Sequence, residues 1–224
     1  MNIARKAEEE SRLKELKEKC NWDLISFISR SELNTVDFIL KQLALNLEKK
    51  GIVVGELKSR TKTFESALAK CEGKNIEPTF DNMINSLYDL AAGRIIVNSL
   101  PDVEAAKSLL GEMGIQKDTP FSIIETRDYI NNPKENGYRS FHVIIRLMVT
   151  NDNVIYPMQS EIQIRTSLQD EWSDMEHKIG YKNNNQSSES KDLLRKISDF
   201  IKEYEEKEAK RIMEERAEAE RLLK

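Results

Sequence analysis

The sequence predicts an α+β chain: a small mixed β-sheet between about residues 51 and 182, with helical stretches before and after it. Three observations lead there. Helical periodicity fills residues 4–50 and returns near the C-terminus. Short apolar runs and period-2 alternation concentrate between residues 91 and 166, and the turn-forming Asn151–Asp152–Asn153 joins two of those runs as a hairpin.

In order along the chain, residues 4–50 read as two helices, the first mostly charged (ARKAEEESRLKELKEKC) and the second strongly apolar (TVDFILKQLALNLEKKG), with Gly51 as its stop. A helix opening near Thr61 and ending around Gly73 follows. AAGRIIVNS reads as a buried strand, and PDVEAAKSLLGEMG as a helix begun by Pro101–Asp102 and closed by Gly114. FSIIETRDYI and SFHVIIRLMVT are strands, and VIYPMQSEIQIRT returns from the hairpin. Thr166 to Gly180 is a helix with Leu168, Trp172, Met175 and Ile179 on one stripe. NNNQSSES is a polar linker, and Leu193, Leu194, Ile197, Phe200, Ile201 and Tyr204 mark a last amphipathic helix that fades into charge. The organisation expected is therefore a helical extension (1–50), a central domain (51–182), and a linker with a C-terminal helix (183–224).

At 224 residues, 39% hydrophobic and 33% charged, the chain supports one sizeable core. No apolar run approaches a membrane span, and the N-terminus lacks the apolar centre of a signal peptide. Cys20 and Cys71 have neither metal spacing nor a disulfide framework, so a reduced, cytoplasmic protein is expected. A net charge of -4 argues against a general nucleic-acid binder but leaves room for a local basic patch.

Four groups of residues carry chemistry. In EIQIRT, alternation puts Glu161, Gln163 and Arg165 on one face and Ile162 and Ile164 on the other. His142 and Arg146 share a face of the neighbouring strand, so the hairpin can floor a polar cleft as well as a merely solvated surface. Lys62, Ser66 and Lys70 follow one another at four-residue spacing, as one stripe of a helix with Arg60 just before it. Cations there oppose the helix dipole, a placement that makes sense if a polyanion binds. Exposed lysines on a solvated helix are the plainer reading, and no GxxxxGK[ST] loop is present. Asp89, ahead of an apolar strand, pairs with Glu161 as two carboxylates at strand ends, the minimum for holding Mg²⁺ on a nucleotide. Tyr138, on a turn-forming run with Lys134 and Asn136, then offers a stacking platform for a purine.

These residues resemble a known family. RTKTFESALAK (60–70) is similar to the RxKxxxSxxxK element of RelA/SpoT-type (p)ppGpp synthetases, and DLAAGR, DYINNPKENGYRSFH and EIQIRT resemble the family's other motifs in the same order. EWSDMEHKIGYK (171–182) resembles the tail of its small, single-domain members, and no HD metal motif precedes the match, which runs from about Lys58 to Lys182. The glycine of DLAAGR stands one place later than usual, and Arg127 stands where Lys is frequent.

The resemblance implies a nucleotidyltransferase-like fold with a mixed sheet of about five strands, and transfer of pyrophosphate from ATP to the 3′-hydroxyl of GTP or GDP. By motif position, Arg60 and Arg94 sandwich the adenine, and Lys62, Ser66 and Lys70 hold the ATP phosphates. Asp89 binds Mg²⁺, and Glu161 helps bind it or accepts the 3′-hydroxyl proton. Tyr138 stacks on the acceptor guanine, with Lys134, Asn136, His142 and Gln163 around it. The alternative is a toxic relative that pyrophosphorylates the tRNA 3′ end or makes adenosine alarmones, with tRNA or an antitoxin as partner. The long apolar stripes of the terminal helices suggest a homo-oligomer.

Overall fold

A computed structural model describes residues 3–182 and 188–222; residues 183–187 of the expected linker lie outside the described residues, as do the side chains of Tyr181 and Lys182 in the tail motif. The elements are α1 (Ile3–Lys19), α2 (Trp22–Lys49), β1 (Val54–Thr61), α3 (Phe64–Gly73), α4 (Phe80–Ser86), β2 (Ala91–Val97), α5 (Leu100–Gly114), β3 (Phe121–Asp128), β4 (Phe141–Asn151), β5 (Val154–Thr166), α6 (Ser167–Lys182) and α7 (Ser188–Leu222).

The strands form one five-stranded mixed sheet in the order β1-β2-β5-β4-β3. The β2–β5 pair is parallel and the rest are antiparallel. The β4–β5 hairpin turns through Asp152 and Asn153, both at positive φ (48° and 63°), which is what a two-residue turn matching strand twist requires.

One face of the sheet is the main core. Ile95, Val97, Val143, Ile145, Ile162 and Ile164 point there, covered by Val36, Leu40, Leu43 and Leu47 of α2 and by α5. Three- and four-residue spacing along α2 builds the apolar stripe that this face needs. Helix and sheet come unusually close at Gly93, where a Cβ would meet Val36 Cγ1 at 2.7 Å and Leu40 Cδ1 at 2.9 Å. That contact gives the displaced glycine of DLAAGR its physical reason. A second apolar cluster joins the start of α2 to α3, α4 and Met158 of β5.

Two elements were not foreseen, and one placement needs correcting. β1 is an edge strand of mixed polarity (VGELKSRT) without clean alternation, and α4, with seven residues, is too short to show a helical period. Because β1 runs to Thr61, α3 opens at Phe64, capped by Thr63, whose side chain accepts from the Ser66 N–H. Arg60 therefore sits on a strand and Lys62 on the connection. The expected single helical stripe does not exist, although Ser66 and Lys70 do lie on α3.

Candidate active site

The other face of the sheet carries the predicted polar residues. Cross-strand register puts Arg60 beside Ala92, Arg94 beside Gln163, and Gln163 beside His142, so period-2 alternation delivers all four polar side chains to one surface. Two clefts open on it. The first, about 310 Å³, is lined by Lys58, Arg60, Arg94, Gln163 and Asp174. The second, about 440 Å³, gathers Lys70, Lys134, Asn136, Tyr138, His142 and Glu161, with Gln163 again at its wall. Gln163 lines both, so they are neighbouring compartments of one site.

Asp89 and Lys62 line neither cleft but sit beside Lys70 of the second. Asp89 forms an isolated antiparallel bridge with Ser160, which places it next to Glu161 along the sheet. Lys62 Nζ lies 2.8 Å from Asp89 Oδ2, and Lys70 Nζ lies 2.9 Å from Oδ1. Burial alone would raise the Asp89 pKa, but the two ammoniums outweigh it and hold the carboxyl below its ordinary value. Ser66 is exposed and lines neither cleft; its hydroxyl is 3.0 Å from Thr63 Oγ1.

Glu161 is more strongly constrained. Burial pushes its pKa up, yet His142, Gln163 and Lys70 together hold it down at about 2. His142 Nδ1 is 3.1 Å from Oε2, and Gln163 Nε2 donates to Oε1 at 2.6 Å. On the far side of the ring, the Tyr138 hydroxyl is 2.7 Å from His142 Nε2 and accepts from Arg165 Nη2. Since Arg165 can only donate, the Tyr138 proton is free to donate to Nε2, leaving Nδ1–H to donate to Glu161. One directed chain thus runs from Arg165 through Tyr138 and His142 to the carboxylate.

Tyr138 is half-buried at the cleft wall, neither a loop tip nor core. Burial raises its pKa, opposed by Arg165. The Lys134 ammonium lies 4.8 Å from its ring centroid and 4.7 Å from that of Tyr129, a cation–π arrangement. Desolvation lowers the Lys134 pKa, with Arg127 and Lys70 adding to the effect. Asn136 Oδ1 accepts from the Tyr138 N–H at 3.1 Å and so shapes the turn that presents the ring.

Residue patterns gave no role to Arg165 and Asp170. Arg165 is 2% exposed, and alternation had put it on the polar face without saying what it does. Asp170, in the first turn of α6, is buried and binds Lys58 (2.9 Å), Arg94 (2.5 Å) and Arg165 (3.3 Å). A charged residue flanking the apolar stripe of α6 was its only signal.

Asp89 and Glu161 are neighbouring carboxylates along the sheet, oxygen donors of the kind a hard divalent cation takes. No group of three or more His, Cys, Asp or Glu side chains suited to a metal occurs among the described residues. Asp89 Oδ1 is buried, however, with no hydrogen-bond partner among the described residues beyond the Lys70 ammonium 2.9 Å away, and phosphate oxygens could complete a hard-cation shell.

Comparison with known proteins accords with this geometry. Residues 59–186 match the family described as the region found in RelA / SpoT proteins. GTP pyrophosphokinase YwaC of Bacillus subtilis is 38% identical over 149 residues, 66% of this chain and 66% of that protein. GTP pyrophosphokinase YjbM of the same organism is 34% identical over 132 residues, 55% and 54% of the two chains. The matches thus span just under two thirds and about half of those relatives' lengths. The crystal structure of small alarmone synthetase 1 from Bacillus subtilis bound to its product pppGpp superimposes with a TM-score of 0.76 at 25% identity, covering 87% of this chain and 97% of that one. On the family match, which takes in more than half of its residues, the chain belongs to the RelA/SpoT family.

Proposed function

We propose that this chain transfers the pyrophosphoryl group of ATP to the 3′-hydroxyl of GTP or GDP, giving pppGpp or ppGpp and AMP. The observation that carries the reading is the pair of clefts meeting at Gln163, one walled by Arg60 and Arg94, the other by Tyr138, with Glu161 in the second. The names of the relatives and the product bound in the similar structure support it. Arg60 and Arg94 take the adenine. Lys62, Lys70 and, from the opening of α3, Ser66 take the donor phosphates. Lys62 and Lys70 leave Asp89 as phosphate arrives, which frees its oxygens.

The 3′-oxygen bonds to the β-phosphorus, the bridge from β-phosphorus to the α-phosphate oxygen breaks, and AMP leaves. The hydroxyl proton passes to the Glu161 carboxylate, whose Oε2 faces His142 Nδ1. A loose phosphoryl transition state asks more for alignment and charge neutralisation than for a strong base, which suits a carboxylate held at about 2. Asp89 and Glu161 would hold Mg²⁺, which supplies neutralisation of charge on the transferring group. Tyr138 stacks on the guanine, a contact of roughly 1–3 kcal/mol per base; the base displaces the Lys134 ammonium from the ring face toward the acceptor phosphates.

No helix among the described residues is long and apolar enough to cross a membrane. We take the protein to work in the cytoplasm, with residues 51–182 as the catalytic unit. Exposed Phe27, Phe38 and Leu45 on α2, and Leu193, Phe200 and Tyr204 on α7, support assembly with further copies.

The test is incubation with Mg²⁺ and ATP labelled in the γ-phosphate, offering GTP, GDP, ATP and tRNA separately. Label in a guanosine tetra- or pentaphosphate, with matching AMP, is expected. Label only in tRNA or an adenosine product overturns the choice of acceptor, and no transfer to any acceptor overturns the activity.

A further inference from the structure

α7 begins at Ser188, beyond the family match, and the reaction just described gives it no task. Its apolar residues explain its docking only in part: Leu194 is 2% exposed. Leu193, Phe200 and Tyr204 are 58%, 70% and 50% exposed, whereas the polar Ser198 and Glu205 are 4% and 5% exposed. Leu194, Ser198, Ile201 and Glu205 recur at helical spacing along the inner stripe, so two polar residues occupy positions that packing alone would fill with hydrocarbon.

Both polar residues are spent on the same loop. Ser198 Oγ donates to the Gly137 carbonyl at 2.5 Å. Gly137 has φ +91°, and a Cβ on it would lie 2.8 Å from Ser198 Cβ, so helix and loop approach as closely as glycine permits. Arg139, 3% exposed, donates to Glu205 Oε2 at 2.8 Å. Glu205 also accepts from Gln169 Nε2 at 3.1 Å and from Thr166 Oγ1, the residue after Arg165. Residues 137 and 139 are the two chain neighbours of Tyr138. The helix therefore grips the loop on both sides of the ring, by the backbone carbonyl of Gly137 and the side chain of Arg139, and through Thr166 it fixes the strand end whose Arg165 holds the hydroxyl.

We propose that α7 is the positioning element of the acceptor loop, with Glu205 and Ser198 setting the Tyr138 ring for the guanine. The proposal rests on the acceptor role given to Tyr138 above. A buried ion pair adds little net stability but fixes geometry through its directed bonds, and such a device fits a loop whose task is orientation. Neither residue touches substrate in this scheme, so both act through Tyr138.

The experiment uses the full chain. Ser198→Ala, Glu205→Gln and the double variant Arg139→Met/Glu205→Met are compared with the wild type for the KM of GTP, the KM of ATP and thermal stability. The GTP KM is expected to rise about threefold in Ser198→Ala and about tenfold in Glu205→Gln, the span for losing a neutral and a charge-assisted hydrogen bond, with the ATP KM within about twofold. In the double variant an apolar pair of similar bulk restores stability while the GTP KM stays raised. Two KM values that move together, a GTP KM that stays at wild type, or a double variant that recovers both stability and GTP KM each overturn the proposal. A wild type that transfers nothing to GTP or GDP instead overturns the acceptor reading beneath it. The milder Ser198→Ala keeps the test decisive should Glu205→Gln not fold.

Discussion

Two carboxylates lie on opposite faces of β5 and could hardly be treated more differently. Glu161, on the open face, is held at about 2. Glu32 of α2, 0% exposed behind the same strand, is pushed up to about 8. Burial raises both. Glu161 has His142, Gln163 and Lys70 around it, whereas among the described residues Glu32 has the Ser160 hydroxyl at 2.6 Å on Oε1 and no hydrogen-bond partner for its buried Oε2. Partners rather than depth decide which acid keeps its charge. The protein keeps an ionised carboxyl on the open face and a neutral acid in the core, one residue apart along the strand through Ser160.

Breaking the open-face side of this contrast should have the largest effect. Glu161→Gln is expected to lower turnover by at least about 1,000-fold, since it removes a charge that aligns the reacting groups. The same variant should still fold cooperatively but melt below wild type at neutral pH, because a carboxyl held at about 2 in the fold and near 4.5 when unfolded adds stability above pH 4.5. AMP release and a thermal melt check both, and turnover within tenfold of wild type would refute the role.

The buried side should answer through pH. Glu32 titrates near 4.5 when unfolded and near 8 when folded, so between those values the unfolded state binds fewer protons and wild-type stability falls as pH rises. Glu32→Gln removes that slope, up to about 1.4 kcal/mol per pH unit. The variant should match wild type near pH 4 and exceed it at pH 8; urea unfolding at the two pH values measures the difference. Parallel curves would mean that Glu32 is not neutral in the folded protein.

Tyr138→Ala sharpens the open face further. Loss of roughly 1–3 kcal/mol of stacking should raise the acceptor KM by about 5- to 150-fold with little change for ATP. Tyr138→Phe keeps the ring and should lose only a few-fold, from the broken link to His142. Steady-state kinetics in both nucleotides separate the two. On the core face, Gly93→Ala forces Val36 and Leu40 of α2 away from the sheet, and overpacking of this kind costs about 1–3 kcal/mol of stability. A melt unchanged from wild type would show that α2 yields freely.

Much of this contrast was legible in the residues. Alternation in EIQIRT separated Glu161 from Ile162 and Ile164, and the hairpin signal aligned His142 with it. Glu32 also left a trace: it is the one charged residue in the spacing Ile25, Ile28, Glu32, Val36, Leu40 along the buried stripe of α2. What could not be read were partnerships across long separations. Nothing local announces that Asp170 will collect Lys58, Arg94 and Arg165, or that Glu205 will meet Arg139. β1 escaped because an edge strand exposed along much of its length need not alternate, and with it went the true positions of Arg60 and Lys62.

The lone parallel pairing in the sheet has a consequence for how the molecule is made. β2 and β5 cannot be joined by a tight turn, so α5, β3 and β4 are all threaded before the two meet. Asp89 and Glu161 come together only when that closure is complete, and distant pairings of this kind form slowly. A ribosome must deliver β5 before either acidic group has its neighbour, and then α7 before the Tyr138 loop is gripped. Nascent chains stopped before β5 would lack the neighbouring carboxylates, and the site would be complete only once α7 has followed.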